Sequence, residues 1–190
     1  MTGLDVETDA LIEVAVVVTD SELTALDGGI DVVITPPAGA LDSMVDVVRK
    51  MHTTSGLLDE LEDGVTLEEA QRQVMDYVRR HVPTARKVPL AGNSVGTDRV
   101  FLERNMPEVV SHLHYRVIDV SSIKELARRW YPRAYFASPE KTGGHRALAD
   151  ILESIAELRY YRAALFPPDG GPDIATCREI ARQVTEAAPR

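Results

Sequence analysis

Cysteine is almost absent from this chain: Cys177 stands alone. That excludes a disulfide-stapled scaffold and, with no Cys-x-x-Cys pair anywhere, a zinc module. No run approaches the roughly 20 apolar residues that would span a bilayer. A basic excess is missing too, since 30 acidic residues face 21 basic ones for a net charge of −9. A strong electrostatic grip on long duplex DNA or RNA is therefore not expected without a local basic patch. Neither a Gly-rich phosphate loop nor a Gly-x-Ser-x-Gly elbow occurs, which sets aside nucleotide kinases and serine hydrolases. The first residues show no basic segment leading into an apolar one with a small-residue cleavage site, so with the lone cysteine a reducing cytoplasm is the expected compartment.

What is present suits one domain. Over 190 residues, 44% are hydrophobic and 27% charged, enough for a single sizeable core. The β-branched runs "ALIEVAVVVTD" and "GIDVVITP", separated by the turn-rich "SELTALDGG", predict an antiparallel hairpin. Met44, Val47, Val48 and Met51 recur at helical spacing, and a short helix is expected through Leu57, Leu58 and Leu61. "TLEEAQRQVMDYVRRHV" predicts a helix with Thr66 and Glu69 as a capping box and an apolar stripe of Leu67, Ala70, Val74, Tyr77 and Val78. "KVPLAG" reads as a short buried strand, followed by a turn and a helix that Pro107 stops. "YRVIDV" is a further strand, and "SSIKELARRW" a helix capped by Ser122 with Glu125 three residues on. "WYPRAYFASPEKTGG" reads as a loop. The last strong helix, "RALADILESIAELRYYRAAL", carries Leu148, Ile151, Leu152, Ile155 and Leu158 on one face. Residues 172–190 read as a weak helix or loose tail. A hairpin followed by strands alternating with helices predicts an α/β domain, a mixed sheet with helices packed on it.

Several residues could carry chemistry. Asp98 lies three and four residues before Phe101 and Leu102, on their side of a helix. Its carboxylate could serve its own helix N-terminus, or it could be one of the one or two carboxylates through which Mg²⁺ is usually held. His145 and Asp150 are five residues apart, so they share a face only if His145 sits on the loop before the helix, which Gly143 and Gly144 would allow. A solvated helix acid and a surface or capping histidine are the bland alternatives. Arg116 on a strand and Ser121 and Ser122 at a helix mouth could meet phosphate, though simple capping by Ser122 is also expected. Tyr115, His114 and His52 have only weak claims by themselves.

Taken together, "MTGLDVETDALIEVAVVVTD", "MHTTSGL", "AGNSVGTDRVFL", "MPEVVSHLHYRVIDVSSIKELARRWYP" and "HRALADILESIAELRYYR" make the chain resemble the oligoribonucleases. These are DEDDh-type 3′-to-5′ exoribonucleases that cleave very short RNAs, and the actinobacterial branch is the most similar. The resemblance covers Met1 to about Phe166, leaving residues 167–190 as a tail outside the exonuclease domain. It implies a ribonuclease-H-like sheet, a homodimer, and two divalent ions, Mg²⁺ or Mn²⁺, held by four acids. Asp98 then matches the third acid, Asp150 the fourth, and His145 the general base. Two such ions would clamp the attacking and leaving oxygens of the scissile phosphodiester, with a nucleoside 5′-monophosphate as product. Leu4 matches the residue that wedges against the bases, and Ser94, Arg116 and Ser121 match groups that cap the 5′-phosphate. Tyr115 would reach in from the other subunit, and His52 matches a histidine near the substrate. A few placed charge-assisted bonds, in place of a basic track, would let an acidic protein select a dinucleotide. Other DEDDh exonucleases, including DNA-proofreading ones, fit less well, because "HYRVIDVSSIKELARRW" belongs to the oligoribonuclease pattern.

The resemblance has one departure. The family's first two acids form an Asp-x-Glu on a strand directly before Met-Thr-Gly-Leu, and here Met1 is that methionine. Asp5 and Glu7 do not replace them: Leu11-Ile12-Glu13 follows Glu7 after only three residues, which places both acids in an exposed loop. A start assigned at an internal methionine, with about a dozen residues and the Asp-x-Glu strand before it, is favoured over a shortened, inactive dinucleotide-binding relative. For the chain as written, poor stability and little or no nuclease activity are expected.

Overall fold

In the computed structural model, residues 1–140, 144–168 and 170–187 are described. The predicted hairpin forms: β1 (Glu13–Val16) runs antiparallel to β2 (Ile30–Val33), with Glu13 opposite Val33 and Val16 opposite Ile30. Helix α1 (Asp46–Thr54), the short α2 (Leu57–Glu60) and a 3₁₀ turn (Leu61–Asp63) follow. Helix α3 (Leu67–His81) begins as expected, with Thr66 Oγ1 accepting the Glu69 N–H at 3.2 Å. It buries Ala70, Val74, Tyr77 and Val78 against Leu11, Val14, Val32 and Ile34, and this is the larger core. The Tyr77 hydroxyl stays satisfied by donating to Asp27 Oδ1 at 2.8 Å while accepting the Val18 N–H.

Strand β3 (Pro89–Gly92) pairs in parallel with β4 (His114–Asp119), Leu90 opposite Val117 and Gly92 opposite Asp119. The register slips beside Pro89, a residue with no N–H to offer the ladder. Between these strands lie α4 (Val95–Asn105) and α5 (Pro107–His112). Pro107 thus ends one helix by starting another, since a proline at a first helical position gives up only an N–H that would have no intrahelical partner. After β4 come α6 (Val120–Trp130) and α7 (Pro132–Phe136), then α8 (Ala147–Leu165) and α9 (Ile174–Glu186). Helix α7 replaces part of the expected loop, again opened by a proline. Helix α9 is capped by Asp173, which accepts the Thr176 N–H at 2.7 Å, and it buries no residue.

The sheet differs from expectation. Among the described residues β1 pairs only with β2 and β3 only with β4, so the predicted single mixed sheet is two separate ribbons. Helix α8 lies across the interruption, touching β1, β2 and β3. Two narrow ribbons offer little apolar surface, and the expected α8 stripe is accordingly only half-buried, with Leu152 49% exposed. What α8 buries is Glu157 and Tyr161. Strand β3, expected to be buried, is likewise half-exposed.

Candidate active site

The first turn of α4 gathers several of the expected groups. Asp98 lies in that turn, exposed at its tip yet flanked by enough protein that desolvation pushes its carboxyl above the ordinary range; its own N–H opposes this.

Leu4 reaches this turn from the N-terminal loop. Thr2 Oγ1 donates to Asp9 Oδ1 at 3.0 Å and accepts the Ala10 N–H at 2.9 Å, while the Asp5 N–H donates to Asp9 Oδ2 at 2.8 Å. A Cβ on Gly3 would sit 2.3 Å from Asp9 Oδ2, so the clasp closes only around a glycine. Held in this way, Leu4 stands 78% exposed and, with Val6, lines a cleft against Gly96, Thr97, Val100 and Phe101 of α4.

Ser94 precedes α4 in the left-handed region, φ 52°, a conformation that a non-glycine residue keeps only when its surroundings enforce it. Its N–H donates to Asp119 Oδ1 and to Ser121 Oγ, each at 3.0 Å, and the two serine hydroxyls lie 3.3 Å apart. Asp119 Oδ1 also accepts the Ser121 N–H at 2.9 Å. The cap of α6 is therefore Asp119, not the predicted Ser122. Asp119 still lies in the ladder opposite Gly92 with extended backbone, so its carboxylate meets the first free amides of the helix. One amide expected to meet phosphate is thereby occupied.

Arg116 does not join the serines through any described hydrogen bond. Its Nε donates to the Tyr115 hydroxyl at 3.2 Å, and its guanidinium lies 5.5 Å from the centre of that ring. Tyr115 is 70% exposed and its carbonyl accepts from Arg99. His52 is buried: its Nε2 pairs with the Met1 carbonyl at 2.9 Å, and its Nδ1 has no hydrogen-bond partner among the described residues. Burial pushes its imidazole below the ordinary range.

His145 lies on the loop before α8, the only position from which the five-residue spacing would let it share a face with Asp150, with φ 52°. Gly143 lies outside the described residues. The clamp on this corner was not foreseen. Arg146 donates from Nε to Glu13 Oε1 at 2.7 Å and from Nη1 to Glu60 Oε1 at 2.7 Å, and the Ala147 N–H donates to Glu13 Oε2 at 3.0 Å. These partners raise the Arg146 pKa. The available signal was an acid inside an apolar strand, Leu11-Ile12-Glu13-Val14, because a buried carboxylate requires a partner.

Asp5 and Glu7 lie in the exposed loop, as expected. Glu7 pairs with Arg104 at 2.5 Å, and its N–H donates to Asp5 Oδ1. Among the described residues, no three His, Cys, Asp or Glu side chains are grouped to hold a metal ion. Asp98 and Asp150 alone do not make a two-ion site.

The structure is thus a mixed α/β fold with Asp98 in the first turn of α4, His145 on the loop before α8 and Asp150 in the first turn of α8. Residues 1–158 match the RNase_T family model, described as Exonuclease, a family that generally works with divalent metals. Similar proteins include oligoribonucleases of Streptomyces avermitilis, 66% identical over 95% of this chain and 90% of that protein, and of Streptomyces griseus, 62% over 99% and 94%. The oligoribonuclease of Rhodococcus jostii is 57% identical over all of this chain and 94% of its own length. The chain belongs to the oligoribonuclease family. No described helix is long and apolar enough to cross a membrane.

Proposed function

We propose that the protein is a 3′-to-5′ exoribonuclease acting on RNAs of two to five residues, above all dinucleotides, and releasing nucleoside 5′-monophosphates. One observation carries this: the start of α4 brings together a hydroxyl cradle at Ser94 and Ser121, the carboxylate of Asp98, and an apolar cleft under Leu4. In that order they suit a terminal phosphate, a scissile phosphate and a base. Leu4 supplies apolar contact to the base, and the clasp beneath it removes the entropy of ordering that loop on binding. His145 is the candidate base for water, and Asp98 and Asp150 the acids toward Mg²⁺ or Mn²⁺. Bound ions would supply charge neutralisation at the scissile phosphate, but the described residues do not complete their site. Exposed Tyr115, stacked under Arg116, suits contact with a second copy of the chain in a homodimer. A cytoplasmic location fits the lone cysteine and the short-RNA reading. Residues 1–166 form the working domain.

A second reading has its own support. With Glu7 engaged by Arg104 and Asp5 by the Glu7 amide, the described acids favour binding over cleavage, so residues 1–190 alone could sequester dinucleotides. The test is a 5′-labelled RNA dinucleotide incubated with Mg²⁺ and either residues 1–190 or a chain extended to the length of the relatives. Turnover by the extended chain supports the enzyme. Binding without turnover by both supports sequestration, and no binding by either overturns both readings.

A further inference from the structure

Glu157 is 4% exposed, and a carboxylate so placed must be paired or heavily hydrogen-bonded. It accepts from Lys124 Nζ at 3.1 Å and from Asn93 Nδ2 at 3.0 Å. Asn93 Nδ2 also donates to Ser154 Oγ at 3.0 Å, and Ser154 passes its own hydrogen to the Asp150 carbonyl at 2.8 Å. Both amide hydrogens of Asn93 therefore point toward α8. A flipped amide would set its carbonyl against the carboxylate, so Oδ1 faces the other way.

There it accepts the Ser121 hydroxyl at 3.1 Å. A serine has one hydrogen to give, so Ser121 presents only lone pairs to Ser94, whose N–H lies 3.0 Å away and whose Oγ lies 3.3 Å away. Ser94 is then the donor across the hydroxyl pair. That bond is long, Ser94 is exposed, and its hydrogen can turn to an incoming anion without breaking the rest of the chain.

We propose that Glu157, fixed by Lys124, is a positioning residue that acts through Asn93 to divide the labour in the cradle. Ser121 becomes the support that keeps Ser94 in its left-handed conformation, and Ser94 becomes the hydroxyl that donates to a 5′-terminal phosphate. This rests on the short-RNA reading above.

The test needs neither metal nor turnover. Binding of a 5′-phosphorylated and a 5′-hydroxyl RNA dinucleotide to residues 1–190 is compared by calorimetry in chelator. Glu157→Leu, which removes the charged one of the two acceptors of Asn93, reduces the preference for the phosphorylated ligand about tenfold, the worth of one charge-assisted hydrogen bond, with affinity for the hydroxyl ligand little changed. Glu157→Gln still offers an acceptor and keeps most of the preference, a rescue that a merely structural role would not produce. Asn93→Ala gives the same loss as Glu157→Leu by an independent route and stands in for it should that variant not fold. An unchanged preference in either folded variant overturns the network. A parent chain that binds both ligands equally overturns the phosphate-cap reading instead, so the two failures are distinguishable.

Discussion

Replacing Arg146 by alanine should destabilise the fold far more than a surface ion pair would suggest. The Glu13 side chain is 5% exposed and that of Arg146 26%, whereas Glu60 on the outer side is 48% exposed and contributes little. Removing the guanidinium leaves the Glu13 carboxylate buried with the Ala147 amide as its remaining described partner. Breaking a buried pair costs about 3–5 kcal/mol, and the partial exposure of Arg146 puts this one near the lower end, about 3 kcal/mol. In a chain of this size that corresponds to a melting temperature lower by roughly 6–12 °C. Thermal unfolding followed by circular dichroism at pH 7 measures it. The double variant Glu13→Leu/Arg146→Leu carries no stranded charge and should lose less than Arg146→Ala alone. A loss under about 1 kcal/mol for the single variant, or a larger loss for the double, would refute the assignment of a buried, mutually dependent pair.

Three shorter predictions follow. Burial holds the His52 imidazole below its ordinary range, so the folded state binds its proton later than the unfolded chain. Stability is then unaffected above the unfolded value near 6.5 and falls with acidification below it, by at most about 1.4 kcal/mol per pH unit. The difference in unfolding free energy between the parent and His52→Gln, followed from pH 8 to 5, should show this slope, and a flat difference would refute it. Gly3→Ala drives a methyl into Asp9 and should cost about 1–3 kcal/mol in denaturant unfolding. The same substitution should also weaken dinucleotide binding through displacement of Leu4. Leu4→Ala, by contrast, should leave the melting temperature within about 1 °C, because an exposed residue contributes little to stability. It should still weaken dinucleotide binding several-fold by titration.

Local signals account for most of what could be read from the chain. The hairpin, α3 with its Thr66 cap and the body of α6 follow from periodicity and capping chemistry, which act within a few residues. Errors arise where one local signal has two meanings. Pro107 reads as a terminator and Pro132 as part of a loop, yet both start helices, and the five-residue α7 is too short to display a period. Asp119 and Ser122 are both good caps, and what decides between them is the pairing of Asp119 with Gly92, 27 residues earlier in the chain. The candidate site divides in the same way. His145 before its helix and Asp98 in a first turn are local facts, whereas the Glu13–Arg146 pair joins residues 133 apart and the Asn93–Glu157 pair residues 64 apart. Nothing in a single sequence couples them beyond the rule that a buried acid must have a partner. The α/β class is legible in the alternation, but the division of the strands into two ribbons is not, since alternation predicts strands and not which edges meet.

On the short-RNA reading proposed above, these long-range pairs would let an acidic chain offer an RNA end a place to bind. Across the serine cradle the near charge is Asp119, which should repel phosphate, and Asp98 lies on the same helix start. Asp119, however, spends its Oδ1 on the Ser94 and Ser121 amides, so part of its charge is already answered by backbone dipoles. Glu157 is buried and neutralised by Lys124. Asp119 and Glu157 thus act inward, shaping donors, while Ser94 is exposed with its hydroxyl hydrogen. Affinity built on such placed donors would be short-ranged and would discriminate one terminal phosphate from a long backbone. A chain with a net charge of −9 would have no comparable hold on a longer polyanion, whose binding draws chiefly on counterion release from many phosphates.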